Sequence, residues 1–515
     1  MLIAPWLLLA LGNGHDLGQQ VSHDLAPGQG VTYWLPSSDG KTVFYAVTEE
    51  GFAGGQWFRA SSDGSQDALA LTDPLPLDRT VNRGQISSDG NWLAYTCDKD
   101  TVGQIEIYCV PTDGSRAVVK LNPSLAPTED VNQYYFLFTP DASRVVFRVG
   151  FGVGAMYSAR PDGSEPAALL TTAPFLFQIT SDSQRVVFQH GPVYSVAADG
   201  SSPPVELSDA NASEVYLSPD GRRVVFEAVT FPDPEFATHW IYSVRVDGSE
   251  EPILLFDPVQ SDPTLSPEVQ ISADSRWVVQ RTDVSPFPNE LHGARIDGSA
   301  PAIRLSDPTT GGGGVHAGFR FTPDGRVVYR YSAVGVPTGI YVAPRDGSSP
   351  ARRITPLAQY PTPMSVEVAN GRVVFGGGVP ESPSELLVEL YSQAIDGSAP
   401  PVRLSPPMVA GGDFNYPTLK ISADGEWALY LADQETDQLN ELFAVPIDGR
   451  ARARKLNRPL PAGGLSFAVT PDSKRVLYVA QQDELGTFEI CTTELGDPLP
   501  FLGESSPLRP GRPIR

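Results

Sequence analysis

No run of 18 apolar residues occurs in the 515-residue chain, so the sequence encodes no helix long enough to cross a bilayer. Basic residues are few: 37 Lys and Arg stand against 61 Asp and Glu, a formal net charge of −24. Such a surface repels nucleic acid and anionic lipid, whose binding needs clustered basic groups. Histidine is scarce, with six in all. A catalytic metal needs about three converging N or O ligands and an open position, and His190, His239, His292 and His316 lie far apart in sequence. Gly-x-Ser-x-Gly is absent, no D-x-[DN]-x-[DN]-G calcium loop occurs, and Gly311-Gly312-Gly313-Gly314 lacks the Lys-Ser/Thr of a phosphate loop. These gaps imply no cofactor and no metal, and point away from an enzyme.

Turn residues are abundant: 49 Pro and 48 Gly make up about a fifth of the chain and recur at regular spacing. The clearest unit runs Ser218-Pro219-Asp220-Gly221, then Val224-Val225-Phe226, then Ile241-Tyr242-Ser243-Val244 and Asp247-Gly248-Ser249. The first tetrapeptide suits a tight turn that ends in a positive φ, and Asp-Gly suits a second one. Val-Val-Phe is too short for a helix and fits a strand buried on both faces. One unit therefore reads as four antiparallel strands, A to D, with tight A–B and C–D turns and a longer B–C loop.

The A–B turn recurs ten times, centred on Asp39, Asp89, Asp141, Asp182, Asp220, Asp274, Asp324, Asn370, Asp424 and Asp472, at intervals of 38 to 54 residues. That is the period of one propeller blade. A buried strand follows each turn, read in the sixth copy as Trp277-Val278-Val279. Positions 142, 183, 275 and 473 carry Ala or Ser where a turn Gly is expected. A Cβ at positive φ costs about 1 kcal/mol, so these read as weak points. The expectation is an all-β propeller of ten four-stranded blades in one ring, because no linker divides the repeats; two smaller propellers are the alternative. Residues 31–502 would form it, after a 1–30 segment whose apolar start (Met1 to Leu11) looks like a secretion signal without the basic residue, and before a Pro-rich tail, 503–515.

Ser-Pro-Asp-Gly, the apolar strand, Ile-Tyr and Asp-Gly-Ser together resemble the TolB-like β-propeller repeat, a relative of the WD-type repeats. The resemblance implies a bacterial, periplasmic or secreted interaction platform. Some relatives are peptidase domains and a few are metal-assisted lyases, so a polysaccharide lyase or hydrolase acting at the channel mouth is the alternative. TolB itself resembles six blades behind a separate α/β domain, whereas here ten repeats begin almost at once.

The A–B and C–D turns are uniform, whereas B–C loops and D–A connections vary, as at Thr48 to Phe52, Phe231 to Trp240, Pro286-Phe287-Pro288 and Gly378 to Glu381. Variation on a constant scaffold is where specificity is expected. The candidate contacts for a protein or peptide partner, taken up by a monomer, are Phe231, Asp233, Glu235, His239, Trp240, Asp98, Asp100, Asp433, Asp437 and Phe287. Repeated turn aspartates read as local backbone caps. Polar residues recurring on strand A (Gln85, Gln178, Gln270, Arg320, Glu367 and Lys420) read as channel lining or as links between neighbouring blades. Cys97 and Cys109 are equidistant from position 103, so a symmetric hairpin would place them opposite each other at disulfide distance, leaving Cys491 unpaired.

Overall fold

A computed structural model describes residues 18–496, apart from 153, 234, 263–264, 283–288, 307–312, 334, 357–361, 383–384, 462 and 483–484. Each repeat begins at its A–B turn. Ser218 Oγ donates to Asp220 Oδ1 at 2.7 Å, Asp220 Oδ1 accepts the Arg222 N–H, and Ser218 Oγ accepts the Arg223 N–H. Gly221 follows at φ +70°. The same hydroxyl–carboxylate–amide closure recurs at Asp39, Asp89, Asp141 and Asp182.

Ala142, Ser183, Ser275 and Ser473 do hold the left-handed conformation, with φ between 57° and 64°. The three serines are not simply weak points. Their hydroxyls accept the N–H of Asp141, Asp220 and Asp424 on the preceding blade at 2.9–3.0 Å. Glycine would relieve the strain and lose this inter-blade bond.

The turns organise ten antiparallel sheets, each a meander in which B pairs A and C, and C pairs D. Among the described residues the only helical piece is a 3-10 turn, Glu50–Phe52, and no helix is long and apolar enough to cross a membrane. The core lies between blades. Ten apolar clusters occupy ten blade–blade interfaces, and the last one joins Val43 and Tyr45 of blade 1 to Leu477 and Ile490 of blade 10. Burial on both faces explains the continuous apolar B strands. It also fixes one ring of ten blades rather than two smaller rings, since blade 10 packs on blade 1.

The N-terminus completes that closure. Gln19–Gln20 pairs with strand C of blade 10 in the register Gln19↔Thr492 and Gln20↔Cys491, supplying the fourth strand of the last blade. Val21 is buried, its N–H bonds Ile490 O at 2.8 Å, and strand A of blade 1 starts at Gln29. Residues 18–30 thus belong to the ring and not to an extension before it.

The hairpin of blade 2 differs from its sequence reading. Cys97 pairs Glu106 and Cys109 pairs Ala94, so the centre lies between residues 101 and 102. Asp98 Oδ2 accepts the Gly103 N–H, which tightens the loop and shifts the register. Cys97 faces the blade 1–2 core and Cys109 the blade 2–3 core, and all three cysteines are free and buried. The expected disulfide does not form. Burial pushes the Cys97 thiol up to about 12 and that of Cys491 to about 11.

The turn aspartates set the acid limit of the fold. Hydrogen bonds from the Ser65 hydroxyl and N–H hold Asp63 at about 2, and the Ser249 hydroxyl does the same for Asp247. Asp39 and Asp182 are lowered first by the Ser37 and Thr180 hydroxyls. A carboxylate depressed in the folded state stabilises the fold above its unfolded value, near 3.9, and that stability is lost as pH falls through the folded value. The melting temperature should therefore stay level down to about pH 5 and fall steeply between about pH 4 and 2, as a scanning calorimetry series would show. A decline that begins near pH 6 would assign acid sensitivity to histidines instead.

Candidate functional site

A meander sends its A–B and C–D turns to one face of the ring and its B–C loops and D–A connections to the other. The two faces differ in chemistry. Among the described residues, the large apolar side chains more than half exposed are Phe52, Leu77, Val102, Tyr134, Phe151, Leu169, Phe175, Phe231 and Leu485. Six of them lie on B–C loops or D–A connections and none in an A–B or C–D turn; Tyr134 and Leu169 lie on strands, and Phe231 lies near the tip of the extended B–C hairpin of blade 5. The loop residues run as an arc from blade 10 through blade 1 to blade 5.

Local structure holds this arc in place. Phe52 sits at φ +66°, a conformation seldom adopted by an aromatic residue. Arg148, itself buried, donates to Phe175 O and Gly152 O and stacks on Tyr135 at 5.6 Å, tying the loop of Phe151 to that of Phe175. Arg83 lies over Tyr134 at 5.4 Å on the adjacent strand A. In blade 5, strands B (Arg223–Asp233) and C (Phe236–Arg245) extend into a long hairpin whose Phe231 is 66 % exposed.

The residues chosen from sequence divide. Phe231, Glu235, Asp100 and Asp437 are exposed on this face, with Asp100 paired to Lys120 at 3.0 Å. Trp240 is half-buried against the blade 4–5 core and donates to Thr230 Oγ1 at 3.3 Å. Asp98 and Asp433 are buried caps that accept the Gly103 and Gln438 N–H groups at 2.8 and 2.9 Å. His239 is buried as well. These three are not available to a partner. Asp233 has a described backbone only, and Phe287 lies outside the described residues.

Of the strand A polar residues, most link neighbouring blades. Gln178 bonds Val215 O and the Leu217 N–H, Gln270 bonds Phe319 O, Arg320 pairs Glu367 at 2.9 Å, and Lys420 bonds Phe467 O. Gln85 is half-buried.

Sequence reasoning missed a buried constellation in blade 5. His239 Nδ1 lies 2.6 Å from Glu227 Oε1, and His239 Nε2 lies 2.7 Å from Ser261 Oγ. Ser213 Oγ donates to Glu227 Oε2 at 2.7 Å. Ser261 comes from an extra strand, Val259–Ser261, paired on strand C. A hydroxyl, an imidazole and a carboxylate in series form the geometry of a nucleophilic triad. Yet each is at most 2 % exposed, and Ser261 Oγ also lies 3.0 Å from Asp262 O. No reacting carbonyl reaches Ser261 in this conformation, so the network as it stands stabilises the blade. His190 is exposed and His316 bonds Ser332 Oγ at 3.0 Å. Among the described residues, no group of three or more His, Cys, Asp or Glu side chains is placed to hold a metal.

The class defined by this architecture is the ten-bladed β-propeller. No family model matches the chain, and no curated protein does. Solved structures match at low identity. Dipeptidyl peptidase 4 of Porphyromonas gingivalis is 11 % identical with a TM-score of 0.43, over 91 % of this chain and 60 % of that one. The eukaryotic initiation factor is 13 % identical with a TM-score of 0.47, over 78 % and 94 %. A TolB-type protein of Agrobacterium tumefaciens is 19 % identical with a TM-score of 0.26, over 46 % and 83 %. The chain spans about half the length of the prolyl endopeptidase and tricorn protease chains that it also resembles. Likeness at this level brings no activity, substrate or partner across to this chain.

Proposed function

We propose that the protein is a periplasmic or secreted binding platform, docking a protein or peptide partner across the face of B–C loops and D–A connections. The observation that carries the reading is the asymmetry of the ring. The most exposed loop side chains, Phe52, Leu77, Val102, Phe151, Phe175 and Leu485, with Phe231 at the blade 5 hairpin, gather on one face. The A–B and C–D turns of the other carry aspartates engaged in closing their own turns. Exposed aromatics on a rigid scaffold suit contact hot spots. The net charge of −24 favours a neutral or basic partner.

The test is a pull-down from envelope extract with three forms of the chain. Phe151→Ala/Phe175→Ala/Phe231→Ala should lose the partner captured by wild type, at least tenfold for three hot-spot residues. Arg222→Ala, on the tight-turn face, should retain it. Equal loss from both variants contradicts the reading.

A second reading, a propeller hydrolase, rests on Ser261, His239 and Glu227. It requires a motion that opens Ser261 to substrate.

A further inference from the structure

Strand A is an edge strand in every blade, and in a propeller that edge lines the central channel. Among the described residues the A strands carry three cations, Arg83, Arg320 and Lys420. Two of them are matched: Arg320 pairs with Glu367 at 2.9 Å, and Lys420 donates to Phe467 O at 2.7 Å. Arg83, exposed on strand A of blade 2 (Val81–Ile86), has neither a hydrogen bond nor an ion pair among the described residues. Its guanidinium lies 5.4 Å from the centroid of the Tyr134 ring, a contact that leaves its N–H donors without an oxygen acceptor. In a chain of net charge −24, a cation without an acid is a departure.

Tyr134 reaches Arg83 because strand A of blade 3 (Val131–Phe138) bulges. Val131 pairs with Val149 and Phe136 with Phe147, so the four residues Asn132 to Tyr135 stand opposite Arg148 alone. Asn132 Oδ1 accepts the Tyr134 N–H at 3.0 Å and fixes the distortion. Tyr134 is 58 % exposed and Tyr135 37 %, and Leu137 is exposed beside them. Bulges re-aim side chains next to sites.

Blade 9 supplies the contrast. Its strand A (Phe414–Ile421) has a bulge of the same size between Asn415 and Lys420. There Leu419 packs on the blade 8–9 core and Thr418 Oγ1 accepts the Leu431 N–H. The blade 3 bulge instead holds two phenol rings in solvent. Tyr33, on strand A of blade 1, joins the group: burial and the nearby Tyr134 raise its phenol while Arg83 draws it back. Neither Tyr33 nor Tyr134 has a hydrogen-bond partner for its hydroxyl among the described residues.

We infer that the channel wall of blades 1 to 3 holds the C-terminal end of the partner chain, with its carboxylate on Arg83 and its last apolar side chain against Tyr135 and Leu137. The inference rests on the binding role proposed above and names the part of the partner that is held. Guanidinium and phenol groups are donors that match the lone pairs of a carboxylate. Net charge then selects the source of that carboxylate. A charge of −24 repels an acidic segment, whereas a neutral or basic chain still ends in one carboxylate. Placement agrees, since Arg83 and Tyr134 lie midway along their strands, inside the channel, where a chain end enters more readily than the middle of a chain. Arg148 ties the Tyr135 ring to the loops of Phe151 and Phe175, so the site continues the apolar arc inward.

The test uses the full chain on an array of short random peptides tethered through their N-termini, each printed with a free and with an amidated C-terminus. Wild type should bind free-carboxylate members ending in an apolar residue about tenfold or more above their amidated twins. Arg83→Gln should abolish that preference, and Tyr134→Ala should weaken binding of the free form. Both variants should melt at the wild-type temperature, because both side chains are exposed. Equal binding of the two forms, binding of amidated members with internal Asp or Glu, no bound member at all, or a preference that survives Arg83→Gln overturns the inference. The pull-down reads the platform separately. A partner lost by Phe151→Ala/Phe175→Ala/Phe231→Ala but fully retained by Arg83→Gln would leave docking in place and refute the carboxylate site alone.

Discussion

Removing residues 18–23 should lower the unfolding midpoint by about 5 °C or more and convert one transition into two. The segment makes up the outer strand of blade 10. Its loss removes the Gly18 N–H bond to Thr493 Oγ1, the Val21 N–H bond to Ile490 O, and the buried side chain of Val21. It also leaves strand C of blade 10 as an unpaired edge, a template for association with another chain. Val21→Asp makes the same point with one atom group, since it sets a carboxylate among Tyr45, Leu477 and Ile490. Calorimetry with light scattering reads both effects. A truncated chain that melts like wild type would mean that the ring closes without its N-terminus. The same geometry bears on export, because any signal cleavage compatible with a closed ring falls before Gly18.

The second large effect lies in blade 5. His239→Ala should cost about 3–5 kcal/mol, because it leaves the Glu227 carboxylate at 1 % exposure with only the Ser213 hydroxyl. Ser261→Ala should cost about 1–2 kcal/mol, the scale of one buried hydrogen bond. The two changes should be non-additive, since they act on one network. A serine-reactive fluorophosphonate should leave wild type unlabelled. Labelling that disappears in Ser261→Ala would instead establish the hydrolase reading and make His239 its base.

Sequence carried the architecture because every element that defines it is local. The A–B turn closes within six residues, and its ten copies, nine of them with Asp at the centre, announce the blades. Contacts between distant segments were not legible. Gln19 and Gln20 carry no strand pattern and meet a partner more than 470 residues away. Ser261 reaches His239 through an extra strand that no periodicity marks. The Cys97–Cys109 register turned on one carboxylate, Asp98, which reads in sequence as a loop-tip charge. The buried strand of blade 6 runs Val278-Val279-Gln280, one residue on from the sequence reading, because Gln280, paired with His292, stands where blade 5 has Phe226 paired with Tyr242. Loop variation marks the face proposed here for a partner, but buried Asp98, Asp433 and His239 look the same in sequence as exposed Asp100 and Asp437.

Hydrogen–deuterium exchange of the chain with and without its captured partner tests the central claim directly. Protection should appear in the segments around Phe52, Phe151, Phe175 and Phe231, with the A–B turns from Asp39 to Asp472 unchanged. Protection centred on the A–B and C–D turns, with those four segments exchanging freely, would contradict it.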